Sequence, residues 1–257
     1  MESSHRKFVW YELLTTDMTA AEAFYRGVMG WSAREAGAPN SPYTLFSVAG
    51  VGAAGMLTLP KAAKDMGASP HWTGYIAVDD VDAYARKVTE AGGRIYAAAT
   101  DIPTVGRFAV AGDPHGADFV IFKPLPGMQA PTIAPDAVGH VGWRELMAGD
   151  LDTDFAFYSK LFGWTKGDAV DMGPMGLYQL FATGEAPVGG MMTKPPTLQR
   201  AGWNYYFNVA ELSGAIAKVK AGGGQIINGP HQVPGGSWIA QCLDPQGVML
   251  ALVSRVQ

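Results

Sequence analysis

The stretch Phe8–Trp31, FVWYELLTTDMTAAEAFYRGVMGW, decides how this chain is read, because it returns 133 residues later as Val141–Trp164, VGWRELMAGDLDTDFAFYSKLFGW. Nine of the 24 aligned positions are identical, among them Trp10/Trp143, Glu12/Glu145, Asp17/Asp150, Phe24-Tyr25/Phe157-Tyr158 and Gly30-Trp31/Gly163-Trp164. An internal repeat sets the architecture before any local propensity is consulted.

The correspondence continues with small shifts where loops differ in length. Tyr43-Thr-Leu-Phe46 pairs with Tyr178-Gln-Leu-Phe181, and Gly55-Met56 with Gly190-Met191. Trp72 pairs with Trp203, Ala91-Gly-Gly93 with Ala221-Gly-Gly223, and Asp113-Pro-His-Gly116 with Asp244-Pro-Gln-Gly247. Residues 124–137, PLPGMQAPTIAPDA, hold four prolines and no hydrophobic period, and read as a linker. The chain therefore divides into homologous domains at 8–123 and 138–254.

Each domain reads as strand–helix–strands twice. The first helix opens at Asp17, or at the Thr19…Glu22 spacing, and stops at Gly30. Phe24 and Val28 lie four apart and are expected to face the sheet together, as are Phe157 and Leu161. Val81, Tyr84 and Val88 mark a second helix, and Asp-Pro-X-Gly closes each domain as a tight turn. The glycine-rich Gly50–Gly55 opens no helix and reads as a hairpin rather than a dinucleotide loop.

Composition removes several function classes. Nineteen Lys and Arg against 23 Asp and Glu give a net charge of −4, which argues against a nucleic-acid partner. The longest uncharged stretches are broken by Gly and Pro, so no membrane span is expected. The first ten residues carry Glu2, Arg6 and Lys7 without an apolar run, and Cys242 is alone. Both features fit a cytoplasmic protein without an internal disulfide. Charged residues reach only 16%, below the roughly 25% usual for soluble domains, which makes a subunit interface plausible, and the expected state is a monomer or a homodimer.

On the ordered set Asp17…Phe24-Tyr25…Gly30-Trp31…Asp113-Pro-X-Gly116, and its second copy, the chain resembles the vicinal oxygen chelate superfamily of glyoxalases, bleomycin-resistance proteins and extradiol dioxygenases. The resemblance covers nearly the whole chain. It implies an α+β fold of two homologous glyoxalase-like domains, each of two βαβββ modules forming a curved mixed sheet around a cup. In catalytic members that cup holds a divalent metal. The resemblance places ligands at Trp10 and Trp143, Val120 and Ala251, Thr73 and Asn204, and at Met56 or Leu57 and Met191 or Met192. None of these is a usual donor to a hard cation. No metal and no other cofactor is therefore expected, and the five histidines show no metal-binding spacing.

Strand parity then suggests what fills each cup, because residues two apart share a face. Trp10 brings Glu12 inward and Trp143 brings Glu145, with Tyr75 and Asp118 in the first cup. Asn204, Tyr206 and Asn208 face the second. Glu12 and Glu145 are the candidate catalytic residues, and the others candidate ligand-binding residues. A carboxylate on an apolar strand can act as a general base, or hold a ligand whose planar part stacks on Trp. Alternatively, Trp-X-Glu is a structural repeat in which Glu bonds to backbone or to an arginine such as Arg107.

The expected function is a small-molecule-binding protein or metal-independent enzyme. A metal-dependent lyase or dioxygenase with nonstandard ligands is one alternative. A scaffold with vestigial cups is another.

Overall fold

The computed structural model describes residues 5–38, 40–127 and 133–257, so positions 128–132 of the expected linker lie outside the described residues. The first repeat runs β1 (Phe8–Thr15), α1 (Met18–Met29), β2 (Ser32–Glu35), β3 (Tyr43–Val48) and β4 (Val51–Thr58). A short helix α2 (Lys61–Asp65) leads to β5 (His71–Ala77), α3 (Val81–Glu90), β6 (Arg94–Ile102), β7 (Gly106–Gly112) and β8 (Asp118–Pro124). The second repeat runs β9 (Val141–Ala148), α4 (Leu151–Phe162), β10 (Thr165–Asp171), β11 (Leu177–Ala182) and β12 (Pro187–Thr193). It ends with β13 (Gly202–Asn208), α5 (Leu212–Ala221), β14 (Gln225–Gln232), β15 (Trp238–Leu243) and β16 (Met249–Ser254).

Two eight-stranded sheets result, in the orders β2-β3-β4-β1-β5-β8-β7-β6 and β10-β11-β12-β9-β13-β16-β15-β14. Both are mixed: β1 pairs with β4 in parallel and β5 with β8, whereas the β3–β4 and β7–β8 pairings are antiparallel. The fold is α+β, as the resemblance implied. Edge strands β2 and β6 escaped the sequence reading because they are largely exposed and lack an apolar alternation. The glycine-rich stretch is the expected hairpin. Val48 pairs with Val51, and Ala49 and Gly50 both take positive φ, as a two-residue primed turn requires.

Among the two possible starts of the first helix, Asp17 is used. Its carboxylate accepts from Ala20 N at 3.0 Å, as Asp150 does from Thr153 N at 2.9 Å. Gly30 and Gly163 both adopt the left-handed conformation that ends these helices. Among the described residues no helix is long and apolar enough to cross a membrane.

Compact packing cuts across the sequence repeats. One unit comprises the described residues of Met1–Val9, Thr73–Pro131 and Trp143–Trp203; the other comprises those of Trp10–Trp72, Thr132–Gly142 and Asn204–Gln257. In the second of these, α1 packs on α5, and Phe24 lies so close to Gly222 and Gly224 that a Cβ at either would stand 2.9 Å from its ring. In the first, α3 packs on α4, and Phe157 lies 2.9 Å from the equivalent point on Gly93. The expectation that Phe24 and Phe157 simply face their own sheet is thus incomplete: each wedges against a glycine turn from the other repeat. The same geometry corrects the alignment by one residue, since Gly93 matches Gly224 and the positive-φ Gly92 matches Gly223.

The shared motifs brace each unit internally. Tyr25 OH donates to Asp244 Oδ2 (3.2 Å) and accepts from Trp72 Nε1 (3.0 Å). In the other unit Tyr158 OH donates to Asp113 Oδ2 (3.3 Å) and accepts from Trp203 Nε1 (3.0 Å). Asp113 and Asp244 each also accept two backbone N–H groups from their own Asp-Pro-X-Gly turn. Phe-Tyr and Asp-Pro-X-Gly are therefore two ends of one buried hydrogen-bonded brace.

His115, inside the Asp113-Pro-His-Gly116 turn, is bonded through Nδ1 to Oδ1 of the fully buried Asp154 at 2.6 Å. Asp154 Oδ2 accepts from Gly149 N. The hydrogen bond to Asp154 raises the His115 pKa above its ordinary value, while burial, reinforced by the Asp154 charge, pushes Asp113 up to about 6. A histidine whose folded pKa is raised stabilises the fold fully below its unfolded pKa, and this contribution fades as pH climbs through the folded value. His115→Gln is therefore expected to lower stability more at pH 6 than at pH 9 in urea melts. Equal losses at both would refute an ionic His115–Asp154 bond.

Candidate functional site

The unit containing Trp10–Trp72 holds two of the candidate residues, Trp10 and Glu12. On β1, Trp10 is half-buried and Glu12 buried. The ring of Tyr43, from β3, reaches across the sheet between them. Trp10 Nε1 donates to Tyr43 OH at 3.0 Å, and Tyr43 in turn hydrogen-bonds the Glu12 side chain. Burial, and then the Glu12 charge, hold the Tyr43 pKa far above its ordinary value, so the phenol stays protonated and serves as a fixed donor.

The ring has room because Glu12 is in register with Gly55 on β4, where a Cβ would overlap the Tyr43 hydroxyl. The Trp10 ring crosses Gly52 in the same way, 3.3 Å from where a Cβ would stand.

The unit containing Trp143–Trp203 repeats the device. Trp143 Nε1 donates to Tyr178 OH at 2.8 Å, Tyr178 hydrogen-bonds Glu145, and burial followed by the Glu145 charge raises the Tyr178 pKa. Glu145 is in register with Gly190, where a Cβ would overlap the Tyr178 ring. Trp→Tyr→Glu is thus a hydrogen-bonded relay built twice from β-strand positions of the same repeat pattern.

Sequence reasoning missed Tyr43 and Tyr178 as site residues. The signal was present, since the Tyr43-Thr-Leu-Phe46 and Gly55-Met56 segments both recur. What strand parity cannot show is that a vacant glycine lane lets a tyrosine lean diagonally onto its neighbour's carboxylate.

The remaining candidates divide between the units. Tyr75, buried on β5 with its ring 5.7 Å from Phe122, and Asp118, half-buried at the start of β8, belong to the unit that also contains Trp143 and Glu145. Thr73 Oγ1 there is buried without a hydrogen-bond partner among the described residues.

Asn204, half-buried, and Tyr206, buried, both on β13, belong to the unit that contains Trp10 and Glu12. Tyr206 OH accepts from Gln241 Nε2 at 2.8 Å, and Gln241 Oε1 accepts from Asn228. The amide of Asn208 donates to the carbonyls of Pro135 (2.9 Å) and Ala137 (3.1 Å) and packs on Gly142, so it ties down the chain before β9. Arg107 is not the partner of a relay glutamate: it is bound by Asp82 and Asp101 at the surface. Cys242 is buried, and burial pushes its thiol up to about 12.

The donor set does not fit a resident divalent cation. The first-strand position holds an indole whose N–H can only donate, and it does so to tyrosine. Among the described residues no three His, Cys, Asp or Glu side chains gather.

A family model for the Glyoxalase/Bleomycin resistance protein/Dioxygenase superfamily matches residues 7–121 and again 137–252. The chain belongs to this superfamily. Its relatives include "Putative glyoxylase CFP32" of Mycobacterium tuberculosis (strain CDC 1551 / Oshkosh), 32% identical over 246 residues and covering 95% of this chain and 93% of that one. "Anthracycline biosynthesis protein DnrV" of Streptomyces peucetius is 30% identical over 257 residues, covering 95% and 91%. Among solved structures, a Mn(II)-bound glyoxalase from Novosphingobium aromaticivorans has a TM-score of 0.68 at 16% identity, covering 98% of this chain and 83% of that one. At that identity the likeness speaks for the superfamily fold alone.

Proposed function

We propose that this superfamily member binds a small organic molecule against its Trp–Tyr–Glu relays and does so without a resident metal ion. The carrying observation is the relay itself, present in both repeats, with indole where the superfamily fold implies a metal ligand. Each relay offers a flat aromatic surface beside a carboxylate oriented by a tyrosine that cannot easily ionise. Such a carboxylate accepts a ligand N–H or O–H, or takes up an acidic proton. The partnerless Thr73 hydroxyl, at a position the superfamily uses for ligation, supplies a further polar group that a bound molecule would satisfy. The name of the anthracycline biosynthesis relative supports a polycyclic aromatic ligand, and makes an anthracycline aglycone the first probe.

The test combines two measurements on the whole chain. Titration with the aglycone is expected to quench tryptophan emission saturably. Glu145→Gln, which keeps the shape but loses the charge, is expected to weaken binding about tenfold or more if the second relay holds the ligand, and Glu12→Gln if the first does. Elemental analysis after dialysis is expected to find less than one transition ion per chain. Stoichiometric manganese, iron, nickel or zinc would overturn the metal-free reading. Unchanged affinity in both glutamine variants would overturn the role of the relays.

A further inference from the structure

A second site is suggested by a place where the two repeats ought to match and do not. Arg6 and Gly139 are equivalent, standing 133 residues apart like the rest of that segment. Their backbones are held identically. Arg6 N donates to Ala77 O and its carbonyl accepts from Trp164 Nε1; Gly139 N donates to Asn208 O and its carbonyl accepts from Trp31 Nε1. Both residues are left-handed, with φ of 65° and 80°. Glycine takes that conformation freely and a side-chain-bearing residue does not. The fold therefore favours glycine at this point, yet the first repeat places an arginine there.

The arginine side chain borders a groove of about 320 Å³ lined by α3 and α4. Its Nη1 lies over Gly163 at the end of α4, and its Nε donates to His5 Nε2 at 2.9 Å, which fixes the guanidinium. Lys87 and Lys160 line the same groove, against one carboxylate, Glu90. Lys87 Nζ sits 4.4 Å from the ring centre of the buried Tyr84.

The other unit provides an internal control. Lys160 corresponds to Gly27, Tyr84 to Ala215, Glu90 to Ala221 and Lys87 to Lys218. One cation remains where the first unit gathers three. The matching helix ends keep cations of their own, Arg26 on α1 and Lys218 with Lys220 on α5, as neutralising a helix C-terminus favours, but the position of Arg6 is Gly139 there and adds none.

We infer that the groove between α3 and α4 is an oxyanion-binding site for a small polyanionic compound, its phosphate or carboxylate groups held by Arg6, Lys87 and Lys160. Arginine supplies a planar fork suited to such groups, and the lysines add point charges around it. The site uses none of the relay residues, so it stands or falls independently of them.

Calorimetric titration of the full chain with pyrophosphate at low ionic strength tests this, and citrate in a parallel arm distinguishes phosphate from carboxylate preference. Saturable binding of one anion per chain is expected. Arg6→Gly should weaken it about tenfold without lowering Tm, because glycine suits this backbone. Lys160→Gln should weaken it similarly, and Lys218→Gln, in the counterpart position, should leave it unchanged. Absence of saturable binding by either anion, or equal affinity in wild type, Arg6→Gly and Lys160→Gln, would overturn the inference. Loss on Lys218→Gln as large as on Lys160→Gln would reduce it to nonspecific charge attraction and overturn it equally.

Discussion

Gly190→Ala is expected to lower stability by about 3 kcal/mol and to disconnect Glu145 from Tyr178. The methyl group would occupy space filled by the Tyr178 ring, so the ring must leave its lane. Its departure breaks the bond from Trp143 Nε1 and the bond to Glu145 together. Overpacking of this kind typically costs 1–3 kcal/mol, and each neutral hydrogen bond adds about 1 kcal/mol. Urea denaturation gives the stability, and aglycone titration the affinity, which should fall with it. Tyr178→Phe separates the two effects: it keeps the ring but removes the relay hydroxyl, so it should cost only about 1–2 kcal/mol while weakening binding comparably. If Gly190→Ala were as stable as wild type, the diagonal seating of Tyr178 would be wrong, and with it the relay on which the proposed function rests.

Asp244→Ala should be the more damaging to the fold, by roughly 3–5 kcal/mol. The carboxylate is buried and accepts from Gln246 N at 2.8 Å, Val248 N at 2.9 Å and Tyr25 OH at 3.2 Å. Removing it leaves several buried donors unsatisfied, and unmade bonds cost more than made ones contribute. Asp244→Asn should recover much of the loss, because an amide oxygen can still accept from both turn N–H groups. Tyr25→Phe should cost only about 1 kcal/mol, with Trp72 Nε1 losing its acceptor. A double-mutant cycle between Tyr25→Phe and Asp244→Asn is expected to show coupling. Additive losses would mean that the brace between Phe-Tyr and Asp-Pro-X-Gly does not act as a unit.

These two predictions separate what the repeated motifs do. The most conspicuous shared residues, Phe24-Tyr25 and Asp113-Pro-X-Gly116 with their copies, are structural. The less conspicuous Tyr43 and Gly55, with Tyr178 and Gly190, assemble the candidate site. Glu12 and Glu145 were found from strand parity because alternation assigns a side chain to a face whatever its chemistry. Their tyrosine partners were not, because a contact that runs diagonally over a glycine depends on register between strands. The bond between His115 and Asp154 is hidden from the sequence for a related reason: its partners stand 39 residues apart.

The amino-acid order by itself determined the duplication, the two kinds of module, the helix caps and the hairpin turns. Each of these depends on neighbours within a few residues, or on a comparison of the chain with itself. Only the tertiary structure decided that Tyr25 braces Asp244 while Tyr158 braces Asp113, that each glutamate is held by a tyrosine, and that Arg6 joins Lys87 and Lys160 around one groove. Those pairings link positions up to 219 residues apart. They arise from the shape of packed surfaces, where the absence of a single Cβ decides which side chain lies against which.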